Sequence, residues 1–385
     1  MKTLKLYLVV SVALLMVLAG CTPNSVPVPT LTPIPPKLAP AESVLSTNSQ
    51  STQEATWAKV VEAARKENQL TFYSVTLFSG DAGIAVAKAF KDRYGITVNF
   101  LQGRGADWLE RLKVERRIGQ QVADAIYASV THMINIRNEG LLEAVPELPM
   151  LREKNIWNVD PMGLDSEGYM IGLYVGLYAP GINTKLVKPE EEPKSLNDLL
   201  HPRWKDKKIA IADPRVSSQL YLYFVPLVNS KAIDWNFVKQ LYKQTPVVVI
   251  GGGDLDTGLA RGDFPIGIIN PDSRLAPLLT EGAPVRQISL KEGDIANPNV
   301  FGKVKNGPHP NAARVFMNWM ISDEGQELFS KTHGILGVNK RARDWRHPVL
   351  QVERTKLLLT TIKDIEDQGR LFQEGFINKL IAEDK

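Results

Sequence analysis

The chain of 385 residues has one cysteine, Cys21, and five histidines. A lone cysteine excludes an intramolecular disulfide and zinc sites of the multi-cysteine kind. His132, His201, His309, His333 and His347 never fall into H-E-x-x-H, and no G-x-S-x-G is present, so the common zincin and nucleophile-elbow signatures are missing. Gly251-Gly252-Gly253 lacks the Lys-Ser/Thr of a P-loop. Closely spaced Glu190, Glu191 and Glu192 run into Pro193 and read as a solvated loop. These absences leave no cofactor to expect and little support for a secreted hydrolytic enzyme. Charge of one sign is also scarce: the formal total is +4, and Lys2 and Lys5 supply two of those charges. A nearly balanced surface without a basic run predicts no nucleic-acid partner. Beyond the first twenty residues no segment approaches 18 uninterrupted apolar residues, so no membrane-spanning helix is expected there.

What is present begins with an export signal. Residues 1–5 are basic and residues 6–18 almost wholly apolar. That run is too short for a resident spanning helix, which needs roughly 20 residues, and it fits the core of a secretory signal over residues 1–20. Leu18-Ala19-Gly20-Cys21 resembles the lipobox of bacterial lipoproteins. The resemblance implies a diacylglyceryl group on the Cys21 thiol, with small residues before it to fit the peptidase. Two or more acyl chains on one residue make anchoring stable. Pro23, Pro27, Pro29, Pro33, Pro35, Pro36 and Pro40 follow, and then Ser, Thr, Asn and Gln dominate to residue 53. Such a composition buries no core, and residues 21–54 are expected to form an extended tether.

From Trp57 the chain becomes periodic. Trp57, Val60, Val61 and Ala64 share a helical face, and residues 70–75 form a buried strand. Ser79-Gly80-Asp81 opens a helix with Ile84, Ala85, Ala89 and Phe90 inward, closed by Gly95. Residues 96–101 and 122–128 read as further strands, with a helix over 106–117 that turns Trp108, Leu109 and Leu112 inward. Strands alternating with helices at this spacing give an α/β fold with a mostly parallel sheet. Ligands in such sheets sit beyond the carboxyl ends of strands, which nominates Ser74, Thr76, Ser79, Arg104 and Ser129. Residues 169–178 form a long strand that Pro180-Gly181 is expected to turn. Residues 208–211, 247–250 and 265–269 supply a second set of strands. After residue 295 helices are expected over 310–320 and 322–331, and an amphipathic stretch from 352 onward.

Four pieces in order then resemble the solute-binding proteins of bacterial ABC importers, in the branch with the ferric-ion binders. They are residues 174–183, residues 193–214, residues 258–270, and the stretch from His309-Pro-Asn-Ala-Ala-Arg to Asp323-Glu-Gly-Gln326. The resemblance implies a two-lobe type 2 periplasmic-binding fold with two crossing strands. The first lobe would comprise residues 55–175 and 296–385, and the second residues 176–295. It also implies a small-molecule solute in the cleft, permease subunits as partners, a monomer, and an extracytoplasmic location at the membrane. Tyr178, on the crossing strand, joins the candidate site.

In the ferric binders two adjacent tyrosines follow the asparagine equivalent to Asn270. Here Pro271-Asp272-Ser273-Arg274 follows instead, and Tyr221 and Tyr223, two residues apart, are a poor substitute. Hydroxyls at a strand-to-helix turn suit an anion, and arginine forks favour carboxylate or phosphate. Asn270, Asp272 and Arg274 therefore join the candidates, and the expected solute is an anionic organic or phosphorylated compound rather than ferric iron. Asp254 and Asp256 offer a cationic solute a site, against which stands a solvated turn with a helix N-cap. Trp108 and Tyr127 read as core. Replacing Cys21 with serine is expected to move the protein from the membrane fraction to the soluble one with unchanged solute affinity, which fractionation and calorimetry check.

Overall fold

The computed structural model describes residues 45–162, 165–213, 219–351 and 356–362. Cys21, the signal and the tether up to residue 44 lie outside them. The helix α1 (Leu45–Glu67) starts within the stretch expected to be extended. No proline or glycine interrupts the sequence between Pro40 and the end of this helix, so nothing in the backbone stops it from running on. Among the described residues no helix is long and apolar enough to cross a membrane.

The first set of strands is β1 (Gln69–Ser74), β2 (Thr97–Gln102) and β3 (Ala125–Ala128). They alternate with α2 (Gly80–Tyr94), α3 (Gly105–Ile118) and α4 (Val130–Asn138). β1 lies between β2 and β3, parallel to both. Both faces are covered, which is why these strands read as apolar runs. Phe72, Ala125 and Tyr127 pack with Ala64, Val86 and Phe90 on one side, while Tyr73 and Ile126 pack with Trp108, Leu112 and Met133 on the other. Val86 is buried where Ile84 was expected, and Ile84 is exposed.

Short β4 (Leu142–Glu143) leads to β5 (Ile171–Asn183), which is followed by β6 (Ile209–Ala212). Next come α5 (Gln219–Asn229), α6 (Trp235–Tyr242), β7 (Val247–Val249), α7 (Gly252–Arg261), β8 (Ile266–Pro271), α8 (Asp272–Thr280) and β9 (Val285–Gln287). β6 is parallel to β7 and β8, a second βαβ set with its own packing on both faces. β10 (Asp294–Val304) then returns, the second of the two crossing strands that the resemblance implied, though no residues had been assigned to it. The sheet runs β2-β1-β3-β10-β5-β8-β6-β7. Two strands therefore carry the connection: β5 pairs with β10 along residues 171–178 and with β8 and β9 along residues 178–183.

Pro180-Gly181 does not turn the chain. β5 continues through it, with an irregularity in its ladder to β8 between Ala179 and Gly181. Proline has no N–H to lose there, and the Gly181 N–H donates instead to Asn270 Oδ1 at 3.1 Å. The last helices are α9 (Pro310–Met320) and α10 (Asp323–His333), followed by β11 (Leu336–Gly337) against β5. The following chain then crosses again rather than staying with the first set. Leu350 is buried with Leu255, Leu259 and Leu275, and β12 (Leu357–Leu359) lies parallel to the start of β10. Residues 352–355 and those beyond 362 lie outside the described ones, so the expected amphipathic stretch is tested only at β12, which is a strand.

A methyl group on Gly181 would sit 2.7 Å from Asn270 Oδ1 and 2.8 Å from Leu259 Cδ2. Gly181→Ala is expected to cost about 1–3 kcal/mol, read as a lower urea midpoint at unchanged m-value.

Candidate functional site

The carboxyl ends of β1, β2 and β3 lie side by side, Ser74 being in register with both Gln102 and Tyr127. Ser79, Arg104 and Ser129 are the N-caps of the three helices that follow. Three helix N-termini are thus brought to one edge of the sheet, where partial positive charge accumulates. Ser74 is fully buried, its carbonyl accepting from Gly103 N and from Trp108 Nε1 at 3.0 and 3.1 Å. Its side-chain Oγ is also buried and has no hydrogen-bond partner in the protein. Thr76 lies in the 3₁₀ turn Thr76–Phe78. Ser129 is exposed and its Oγ lies 2.7 Å from His132 Nδ1. Arg104 forks the carboxylate of Asp107 at 2.7 and 2.9 Å, with 86% of its side chain exposed. Trp108 is core as expected, stacked on Tyr73 at 4.3 Å.

A polar face lies where β5 and β10 run together. Tyr174 stands opposite Asn299 and Gly176 opposite Asn297, and directly opposed residues share a face of the sheet. Tyr178 lies two residues beyond Gly176 on the same face. The Tyr127 hydroxyl joins from β3, 3.0 Å from Tyr174 Oη and donating to Asn299 Oδ1 at 3.3 Å. Asn299 Nδ2 donates to the Asn297 carbonyl at 3.3 Å. Tyr178 has a side-chain hydrogen bond with Asn297 and feels the charges of Arg274, Asp272 and Asp256. Burial raises the pKa of all three tyrosines, so their phenols keep their protons.

The second set of strands supplies the charges beside this face. Asp256 is buried on α7, not in a solvated turn, whereas exposed Asp254 accepts from Gly251 N at 3.2 Å as an N-cap partner. Asp256 binds Arg274 Nε through Oδ2 and accepts from Asn270 Nδ2 through Oδ1 at 2.6 Å. Burial raises the Asp256 pKa, and Arg274 opposes that rise. Asn270 is fully buried and braces the Gly181 amide and Asp256 together. Asp272 is likewise fully buried: Leu177 N donates to its Oδ1 and Arg346 Nη1 to its Oδ2, both at 3.1 Å. Asn270 and Asp272, expected at the cleft edge, thus spend their polar atoms inside the protein. Arg274, on the first turn of α8, keeps about a third of its side chain exposed.

The depression lined by Asn197, Lys231, Asp234, Trp235 and Gln240, about 630 Å³, lies against α5 and α6, away from these residues. Its polar lining is on the surface, which gives it none of the buried polar character of the crossing-strand face.

The sequence pattern of the family described as bacterial extracellular solute-binding protein matches residues 85–355. This chain belongs to that family. An uncharacterized protein of Haemophilus influenzae is 25% identical over 249 residues, 63% of this chain and 70% of its own. Among solved structures, the periplasmic binding protein AfuA of Actinobacillus pleuropneumoniae, with fructose-6-phosphate bound, superposes with a TM-score of 0.60 at 23% identity. The match covers 82% of this chain and 98% of that one. The Trichodesmium protein IdiA (FutA), in complex with iron and citrate, gives 0.64 at 20% identity over the same shares. These likenesses fix the type 2 periplasmic-binding fold expected from the sequence, with β5 and β10 as its crossing strands. Family membership makes the protein a solute-binding component of an ABC transporter with an extracytoplasmic location.

Tyr174, Asn297 and Asn299 escaped the sequence reading as site residues, and Asp256 entered it only for a cationic solute. The first three sit on strands buried on both faces, where no alternation separates a polar face from a core. Tyr127, read as core, is buried but turns its hydroxyl to this group. His333, at the end of α10, fixes the loop before α2: its Nε2 lies 2.9 Å from the Leu77 carbonyl and its Nδ1 3.1 Å from that of Phe329. Burial lowers its pKa below 6.5. A base with a depressed folded pKa contributes stability that is present above its unfolded value and lost as pH falls through that value toward the folded one. Stability is therefore expected to fall below about pH 6.5, and His333→Gln is expected to flatten that slope in denaturation series across pH.

Proposed function

We propose that this solute-binding protein captures an anionic organic or phosphorylated compound and delivers it to the permease of an ABC importer. The observation that carries the reading is Arg274, held in place by buried Asp256 and lying within electrostatic reach of Tyr178 on the crossing-strand face. Three helix N-termini at the opposite strand ends add amide donors of the same preference. A neighbour in structure binds a sugar phosphate, which is compatible chemistry. A hinge at the expected lobe boundaries, 175/176 and 295/296, is supported by the change of ladder partners near residues 176–178 of β5. Leu350 and β12 would then go with the second lobe. Cys21 would hold the protein, as a monomer, at the outer face of the membrane.

Ferric iron is the weaker reading. After Asn270 the chain carries Pro271-Asp272-Ser273-Arg274 in place of the adjacent tyrosine pair of the ferric binders, and the Tyr127 hydroxyl at the crossing is already bonded to Tyr174 and Asn299. Adding ferric citrate is expected to produce no phenolate-to-iron absorption band.

Calorimetry with carboxylate and phosphate solutes tests the main reading. Ligand at 100 times Kd is expected to add about 2.7 kcal/mol to stability. Arg274→Ala is expected to weaken binding by about 1.5–3 kcal/mol. Arg104→Ala should weaken it less, since an exposed, ion-paired arginine contributes little. Undiminished affinity in Arg274→Ala would remove the anionic reading.

A further inference from the structure

We infer that Asn297 reads a hydrogen-bond donor on the captured solute, so that the preferred ligand carries a hydroxyl beside its anionic group. This rests on the anionic reading above and narrows it from any small anion to hydroxy acids and phosphorylated polyols.

Asn297 is only 5% exposed, and its Oδ1 is buried without a hydrogen-bond partner in the protein. A buried acceptor left unmet is destabilising, and an apolar side chain would carry no such cost. The surrounding polar atoms are already engaged. Asn297 bonds to Tyr178 through its side chain, its carbonyl accepts from Asn299, and Tyr127 is shared between Tyr174 and Asn299. The orphan acceptor thus stands on an otherwise satisfied polar face, along the ladder of the two crossing strands. An acceptor calls for an N–H or O–H. At the neighbouring Tyr178 the charge of Arg274 is opposed by those of Asp272 and Asp256, and such a mixed field suits a neutral hydroxyl. Tyr178 adjoins both groups, so the hydroxyl and the anion belong to one small molecule.

Two pairs of probes differ by hydroxyl alone: citrate against tricarballylate, and glycerol 3-phosphate against n-propyl phosphate. Calorimetry on the full chain is expected to show the hydroxylated member of at least one pair binding on the order of 10-fold or more tighter. Asn297→Leu, close in volume, should erase that ratio while the deoxy probe binds as before. Asn297→Asp, which keeps an acceptor, should retain the ratio while both affinities fall through charge repulsion. A wild-type protein indifferent to the hydroxyl, as when an ordered water satisfies Oδ1, overturns the inference and leaves the anionic reading standing. So does a ratio that survives Asn297→Leu. If none of the four probes binds the wild type, the anionic reading fails and takes this inference with it. Should the leucine variant not fold, the wild-type ratio and the aspartate variant still decide.

Discussion

Everything in the fold hangs on how β5 satisfies its backbone while it passes from one set of strands to the other. A central strand must find partners on both edges along its whole length. β5 does so by changing partners: β10 and β11 along its first part, then β8 and β9. At the change the ladder is irregular, and side chains replace backbone. Asn270 accepts from Gly181 N, Asp272 from Leu177 N, and Gln287 Nε2 donates to the carbonyls of Leu177 and Asn270 at 2.8 and 2.5 Å. Asn270 and Asp272 were nominated as ligand groups, yet they serve the crossing itself, as Gln287 does. Arg274, two residues past Asp272, keeps about a third of its side chain exposed.

That division explains why sequence alone separated fold from site unevenly. Strand–helix alternation over residues 69–138 was legible because each strand end is marked by a turn or a glycine, and each helix buries one stripe. The same held for β6 to β8. β5 and β10 were harder, since strands buried on both faces lose the period-two signature, and Pro180 and Pro298 look like turns. Both prolines are tolerated because their missing donors fall at irregular or side-chain-satisfied positions. β12 was unreadable for a different reason: three leucines in a charged neighbourhood fit a helix face as well as a strand.

The candidate site was legible where it follows from topology and not where it follows from tertiary pairing. Ser79, Arg104 and Ser129 stand at helix N-termini as strand order requires. Asp256 and Arg274 are 18 residues apart and meet only because α7 and α8 flank adjacent strands. Tyr174 and Asn299 meet across 125 positions through the β5–β10 register. No local pattern encodes either pairing. Nor does any local signal say that Arg346 returns from the far end of the chain to Asp272, tying the third passage of the chain to the start of α8.

The shared state of Arg274 has a kinetic meaning. A captor that must hand over its cargo works within a window: affinity high enough to load from dilute medium, dissociation fast enough to keep pace with the pump. Most differences in affinity between related sites are differences in residence time. A guanidinium already committed in part to a buried carboxylate attracts an incoming anion less than a bare one would. On the proposed anionic reading, the Asp256 carboxylate would act as a resident competitor and set how long the cargo stays.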